Sequence, residues 1–141
     1  MMTESLPLFP VTQATVLDAY DSIFAPWVKQ LGLCDWTVRE GFAAAKLPFA
    51  DALKFSSGAV CGQAIMAAID TVASIANATT DRMSKGTVYQ HTHFLRPARD
   101  DDFLVEATVL RFGKASAFSE VRVIFAGSGV LVAHASIEFA F

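Results

Sequence analysis

The stretch GAVCGQAIMAAIDTVASIANA, residues 58–78, decides how this chain folds. Ser56 and Ser57 come just before it and supply turn and capping groups, so a long helix is predicted from about residue 59 to residue 78. Apolar side chains cover most of the helix circumference, which is typical of a buried helix. Asp70 stands in the middle of this apolar sequence, where burying a charge is costly, so it is the first candidate for a functional residue.

Four polar residues of the predicted helix fall within one narrow sector of its surface, with Met66 between them. They are Gln63, Asp70, Ser74 and Asn77. One interpretation is that this polar stripe faces solvent or a contact between subunits. The other is that Asp70 acts as a general base or nucleophile in a cleft. The same polar residues disfavour a membrane-spanning helix, although the stretch is nearly long enough to cross a bilayer.

The second half of the chain has the period of two that is typical of strands, in four segments separated by turn signals. These segments are residues 86–96, 102–112, 115–126 and 130–141. Their short connections predict antiparallel pairing, so one curved sheet must pack against something long and apolar. The central helix is the only candidate.

The first half of the chain predicts one helix over residues 11–31, interrupted near Pro26, and then one strand over residues 36–47 that Pro48 ends. The order of elements gives an α+β fold. A chain of 141 residues is expected to form a single domain over residues 1–141, with the first helix as an N-terminal extension.

The composition narrows the function. With a net charge of −3, the chain is not expected to bind nucleic acid or a membrane surface. Cys34 and Cys61 cannot form a disulfide framework, and residues 1–10 have neither a basic leader nor an apolar core, so a cytoplasmic location is expected. A hydrophobic content of 53% with only 18% charged residues predicts that apolar surface is buried between subunits.

Several features in a fixed order resemble the PaaI-like hotdog-fold acyl-CoA thioesterases. They are the spacing from Cys61-Gly62-Gln63 to Asp70, the segment FLRPA at residues 94–98, and the Gly113-Lys114 turn before a Val-rich strand. The resemblance covers residues 36–141. It implies a hotdog fold, in which an antiparallel sheet wraps around the long helix, and a homodimer or homotetramer with its substrate cleft between subunits.

The resemblance also implies roles for particular residues. Asp70 takes the place of the family's catalytic acid, as general base or nucleophile, and the backbone N–H of Gly62 becomes the donor to the thioester oxygen at the helix N-terminus. Thr87 corresponds to a hydroxyl residue that places water or the acid. The implied substrate is a small or aromatic acyl-CoA, with no cofactor beyond its coenzyme A and no metal. The expected substrate-binding residues are Phe55, Cys61, Gln63, Met66, Ser74, Arg96 and Lys114.

Three departures from the family pattern keep other functions open. Cys61 replaces a His, Gln63 replaces a Gly, and Phe55 stands where a subset of the family has an Asn. Hydrolysis is therefore expected to be slow, or the physiological substrate to be unusual. The alternatives are an acyl-CoA or lipid-like ligand binder on the same fold, and a hotdog hydratase or dehydratase, which usually needs a His near the helix start.

The basic and imidazole side chains have competing interpretations. Arg96 and Lys114, near strand ends, are candidates for the coenzyme A phosphates or are ordinary surface charges. His91 and His93 share a strand face and with His134 have a geometry that suits a metal, but structural or subunit-contact roles are favoured because no acid accompanies them in a known pattern. Without a His partner, the thiol of Cys61 is interpreted as a small buried hydrophobe.

Overall fold

The structure, a computed structural model, describes residues 9–141 and contains one six-stranded antiparallel sheet with a long helix on its inner face. The strand order is β1-β2-β4-β5-β6-β3. The helices are α1 (Val16–Ile23), α2 (Pro26–Lys29) and α3 (Gly62–Asn77), with a short 3₁₀ turn at Asp51–Leu53. The strands are β1 (Cys34–Arg39), β2 (Phe42–Leu47), β3 (Gly86–Phe94), β4 (Phe103–Phe112), β5 (Ser116–Phe125) and β6 (Leu131–Ala140).

The predicted hotdog architecture is confirmed, and the four predicted C-terminal strands match β3 to β6. Alternate residues of these strands face α3 and form the core. Phe103, Val121 and Ala135, for example, are fully buried. The sheet wraps around α3 because these inward side chains and the alanines of the helix bury each other.

The central helix is shorter at its start than predicted. Residues 59–61 are extended because their backbone already has partners: Val60 N–H donates to Ala98 O at 2.9 Å, and Cys61 N–H donates to Leu53 O at 2.8 Å. Cys61 is consequently the N-cap of α3, and the helix begins at Gly62. These two bonds fix the position of the helix N-terminus.

The prediction of a single strand over residues 36–47 was wrong. The segment is a hairpin, in which β1 and β2 pair antiparallel around a turn at Glu40-Gly41. Gly41 adopts φ +72°, which glycine tolerates best. The turn was missed because residues 42–45 are all apolar, which hides the change from buried even-numbered positions such as Val38 to buried odd-numbered positions such as Ala43.

The predicted N-terminal helix is two shorter helices. Pro26 begins α2 and separates it from α1, as a residue without an N–H would. Residues 11–15 are not helical, because Val11 N–H donates to Ala78 O at 2.8 Å and ties this segment to the end of α3. Residues 1–8, on which part of the single-domain and location predictions rests, lie outside the described residues.

The two edge strands of the sheet, β1 and β3, have different surroundings. Along β1, the side-chain amide of Gln13 donates to Trp36 O and accepts from Val38 N–H, both at 2.8 Å. At the other edge, β3 exposes most of its residues.

Within residues 9–141, every helix is too short or too polar to cross a bilayer.

Candidate active site

Strand β3 and helix α3 run in opposite directions and approach each other at three places. Thr87 Oγ1 donates to Asp70 Oδ1, Gln90 Nε2 donates to the Met66 carbonyl, and the Phe94 ring lies against Gly62. Each β3 residue in these contacts faces the helix. The flank between α3 and β3 therefore carries both predicted catalytic side chains, Asp70 and Thr87, which the structure brings together.

Asp70 is half-buried, and one hydroxyl group bonds to its carboxylate and another to its backbone carbonyl. Thr87 Oγ1 lies 2.5 Å from Asp70 Oδ1, while Ser74 Oγ donates to the Asp70 carbonyl at 2.7 Å. Among the described residues, no cationic side chain lies within 4 Å of this carboxylate. One oxygen is thus oriented by Thr87, and Oδ2 remains available to accept a proton from water.

An apolar cavity of about 180 Å³ opens beside this pair. We call it the Asp70 cavity. Its lining residues come from the N-terminal segment, from the second half of α3, and from β3 and β6. They are Phe9, Ile23, Phe24, Ser74, Ile75, Ala78, Ser84, Gly86, Thr87 and Phe139. A carboxylate and an apolar pocket are therefore adjacent on the same flank.

A second cavity, of about 260 Å³, lies at the start of α3, and we call it the Gly62 cavity. Its lining includes Phe55, Gly62, Phe94 and Arg96. The first N–H groups of a helix have no intrahelical partner, and the helix dipole favours negative charge there. A Cβ atom built on Gly62 would lie 3.3 Å from Phe94 Cζ, so glycine lets the ring pack tightly here.

Two arginines frame the Gly62 cavity. Arg99 donates to the carbonyl of Ser57 at 2.6 Å and to its hydroxyl at 3.2 Å, which ties down the loop before α3. Arg96 donates to the Leu131 carbonyl. Each guanidinium has five N–H donors, so both retain donors for an anionic ligand.

Cys61 and Gln63 face a different cavity, of about 250 Å³, together with Trp27 and Leu53. The thiol is half-buried and makes no capping bond. Five of the seven predicted substrate-binding residues are thus divided among three cavities. Met66, 39% exposed, lies between the Asp70 and Gly62 cavities along α3 and lines neither.

The structure does not bring Arg96 and Lys114 together. Arg96 follows the end of β3, whereas Lys114 lies in the β4–β5 turn, where Arg82 donates to its carbonyl at 2.9 Å. This turn lies near the start of β3, so the two cations are separated by roughly 25 Å along the strand direction. One coenzyme A bound to one protomer cannot contact both with the same phosphate.

The polar stripe of α3 does not form one solvent-facing surface. Gln63 is exposed and Asp70 is half-buried, but Asn77 is fully buried. Asn77 Nδ2 donates to Ala73 O at 2.9 Å and to Ser119 Oγ at 3.0 Å. Asn77 is therefore a core residue that links the helix to the sheet.

The three histidines of the chain lie on the outer face of the sheet, away from α3. His91 and His93 stack with ring centroids 4.8 Å apart, and His134 Nε2 lies 2.6 Å from Glu120 Oε1. Within the described residues, no three potential ligands lie close enough to hold a metal ion. No imidazole of this protomer reaches Gly62, which disfavours the hydratase interpretation.

Comparison with known families gives a direct assignment. Residues 57–133, more than half of the chain, match the family model described as the thioesterase superfamily. The chain belongs to the thioesterase superfamily. The matched residues include all of α3 and β3, and hence both Asp70 and Gly62.

Solved structures with the same fold include other members of this superfamily. A conserved protein of Pseudomonas aeruginosa is 26% identical, covers 85% of this chain and 96% of its own, and has a TM-score of 0.76. Zebrafish thioesterase superfamily member 2 is 20% identical over 92% of this chain and 98% of its own, with a TM-score of 0.83. The Escherichia coli PaaI protein from the phenylacetic acid degradation operon is 19% identical over 91% and 94%, with a TM-score of 0.77.

These comparisons confirm the predicted resemblance at the level of family and fold. A comparison with curated protein sequences gives no significant match. Nothing in the sequence indicated that Ile23 and Phe24 line the Asp70 cavity. Helical periodicity marked them as apolar but could not identify the element they meet.

Proposed function

We propose that this member of the thioesterase superfamily hydrolyses acyl-CoA thioesters with a small or aromatic acyl group. Asp70 acts as general base or nucleophile, and the Gly62 N–H is the oxyanion donor. The observation that supports this best is the Asp70–Thr87 hydrogen bond, which orients a carboxylate at the edge of an apolar cavity. Carboxylates in such positions serve as bases or nucleophiles in hydrolysis.

The reaction can follow either of two routes. With Asp70 as base, the carboxylate takes a proton from water while the water oxygen bonds to the carbonyl carbon; the C–S bond then breaks and the sulfur receives the proton. With Asp70 as nucleophile, an anhydride forms as the thiolate leaves, and water then hydrolyses it. In both routes negative charge develops on the carbonyl oxygen, where the N–H groups at the start of α3 stabilise it.

One protomer does not complete this site. Gly62 and Asp70 are eight positions apart, which is about 12 Å along a helix axis. A carbonyl oxygen needs its donor at about 3 Å, and the attacking atom starts about 3 Å from the carbonyl carbon. The proposed unit is therefore a homodimer, in which Gly62 of one protomer meets Asp70 of the other. Exposed apolar side chains beside this flank, among them Met66, Val88 and Phe94, are available for the contact.

The first test measures thiol release from a panel of acyl-CoAs by the wild-type protein and by Asp70→Asn. General acid–base catalysis is typically worth 10²–10⁴-fold, so kcat is expected to fall by about that factor in the variant. Asp81→Asn, which neutralises an exposed acid just beyond α3, is the matched control and should retain activity. Equal rates for Asp70→Asn and wild type would remove Asp70 from the mechanism.

The second test separates one-protomer from two-protomer sites. Gly62→Pro removes the donor N–H at the first helical position, where proline is tolerated, and Gly62→Ala keeps the N–H while adding a Cβ against Phe94. Gly62→Pro and Asp70→Asn should each be inactive alone. An equal mixture, unfolded and refolded together, should regain about a quarter of wild-type activity, because half the dimers are mixed and each carries one intact site of two. No recovery would argue against a shared site.

A second candidate function is acyl-CoA binding without turnover. It is favoured by the position of Cys61, whose side chain faces a cavity apart from the one at Gly62 and so adds nothing to the oxyanion site. This function predicts that an acyl-CoA raises the melting temperature while no thiol is released. Thiol release at a rate that depends on Asp70 would exclude it.

A further inference from the structure

The Asp70 cavity has an apolar interior and polar groups on one side only. Ile75 and Phe139, almost fully buried, form its floor, and Ile23 and Phe24 at the end of α1 form a wall. None of the described residues that line it carries a charge. A group that enters it is therefore selected by shape and by burial of apolar surface.

The polar lining groups already have partners within the protein. The hydroxyl of Thr87 donates to the Asp70 carboxylate and that of Ser74 to the Asp70 carbonyl. Ser84 Oγ accepts from Gly86 N–H at 3.0 Å and lies 3.3 Å from Ala140 O. A polar or charged occupant would lose its hydration without gaining equivalent bonds, so the cavity favours an uncharged apolar group.

The volume indicates the size of the group that the cavity can bury. A dry cavity of roughly 150 Å³ lined by aliphatic and aromatic side chains accepts benzene. At about 180 Å³, the Asp70 cavity has room for a phenyl ring or a short alkyl chain, but not for a long fatty chain.

The wall of the cavity comes from outside the residues that the family model matches. Ile23 and Phe24 precede residues 57–133, which match the thioesterase superfamily. Phe24 is held by Tyr20, at a ring distance of 5.9 Å, and Tyr20 packs in turn on Trp36 at 5.4 Å. Ile23 is 42% exposed although apolar, so an occupant would remove it from water.

We propose that the Asp70 cavity receives the acyl group of the thioester, and that Ile23 and Phe24 limit it to a ring or a short chain. This inference rests on the proposed function, because the carbonyl must lie at Asp70 for its acyl group to enter here. Specificity then depends on a short helix that precedes the matched residues, while the shared α3 and β3 carry the chemistry.

The test compares kcat/KM for acetyl-, hexanoyl-, phenylacetyl- and palmitoyl-CoA in three variants. Ile23→Trp fills the cavity from an exposed position that tolerates a large side chain, Ile23→Ala widens it, and Leu17→Trp is the control on a part of α1 that lies outside the lining. Ile23→Trp should lower kcat/KM for phenylacetyl- and hexanoyl-CoA by roughly 10–200-fold and leave acetyl-CoA within about twofold. Ile23→Ala should shift the preference toward longer chains.

An equal fall for all four substrates in Ile23→Trp, or no change, would overturn the cavity assignment while leaving the thioesterase function intact. If the wild-type protein releases no thiol from any substrate, the proposed function fails instead. Calorimetric Kd values for phenylacetyl- and acetyl-CoA, measured with Asp70→Asn and with Asp70→Asn/Ile23→Trp, then decide the cavity proposal. A loss of at least about tenfold for phenylacetyl-CoA alone upholds it; equal losses, no loss or no binding overturns it.

Discussion

Toward β2 and β4, helix α3 is closed by apolar packing, whereas toward β3 the same helix is open and carries polar groups. Its side chains Ala68, Ile69 and Val72 are fully buried. On the β3 flank, Met66 is 39% exposed and Asp70 bonds to a strand that is itself mostly exposed. Apolar packing on the closed side stabilises the helix. The open side can therefore carry a half-buried acid that contributes little to packing.

Substitutions on the two sides should separate these roles most clearly. Ile69→Ala on the closed side should lower the free energy of unfolding by about 2–5 kcal/mol, since it leaves a cavity in the core. Met66→Ala on the open side should cost less than about 1 kcal/mol in the unfolding of a single protomer. Urea titrations of both variants at low protein concentration measure the difference, and similar losses would contradict the distinction.

The open flank should also be the place where protomers associate. A lysine on an edge strand opposes pairing with another chain, so Val88→Lys, at a position 56% exposed, should weaken self-association at least about tenfold. Leu17→Lys, at an exposed apolar position on α1, is the control and should leave association unchanged. Sedimentation velocity over a range of concentrations distinguishes them. Unchanged association in Val88→Lys would place the subunit contact elsewhere.

A smaller effect is expected from the hydroxyl that holds the acid. Thr87→Val removes the bond to Asp70 Oδ1 and should lower kcat by roughly tenfold, because an exposed hydrogen bond to a charged group is worth about 1.5 kcal/mol, the low end of the usual range. Thr87→Ser keeps the hydroxyl and should retain most of the activity. Steady-state rates of both variants and the wild type with one acyl-CoA measure the difference. Equal losses in both variants would indicate that the methyl group matters more than the hydrogen bond.

The smallest effect concerns pH and lies at the ends of β2 and β4. The backbone N–H of Phe49 and the ammonium of Lys46 hold the pKa of the Asp102 carboxyl below its usual range. This bonding stabilises the fold fully above the unfolded value of about 3.9, and the contribution disappears as the pH falls through the lower folded value. Solvent screening keeps it below about 1 kcal/mol.

Asp102→Asn tests this contribution directly. The variant should lose slightly less unfolding free energy than the wild type when the pH is lowered below about 4, since its side chain does not titrate. Urea titrations between pH 3 and pH 7 measure the difference between the two curves. A constant difference across this range would show that the charge of Asp102 is unimportant.

The sequence predicted correctly the features that depend on residues adjacent in the chain. Gly113-Lys114 and Gly127-Ser128-Gly129 marked the strand ends correctly, and the apolar circumference of residues 62–77 identified a buried helix. The Glu40-Gly41 turn was missed because the apolar run at residues 42–45 hides the shift in alternation across it.

For the candidate site, the family spacing selected Asp70 and Thr87, which the structure joins by a hydrogen bond. The sequence could not show that Arg96 and Lys114 lie at opposite ends of the sheet, because turn residues at the two ends have the same sequence character. It also could not place Ile23 in the same cavity lining as Thr87, since that proximity depends on how α1 packs against α3.

The side-chain amide of Gln13 has a consequence for how copies of this chain can associate. By bonding to Trp36 O and Val38 N–H, it imitates a neighbouring strand and occupies the backbone groups that another chain would need there. Continuous growth of a fibre requires that every copy has two unpaired sheet edges, each of which can pair with an edge of the next copy. The protection of these two groups on β1 therefore favours contact through the β3 edge of each copy over strand pairing at both edges.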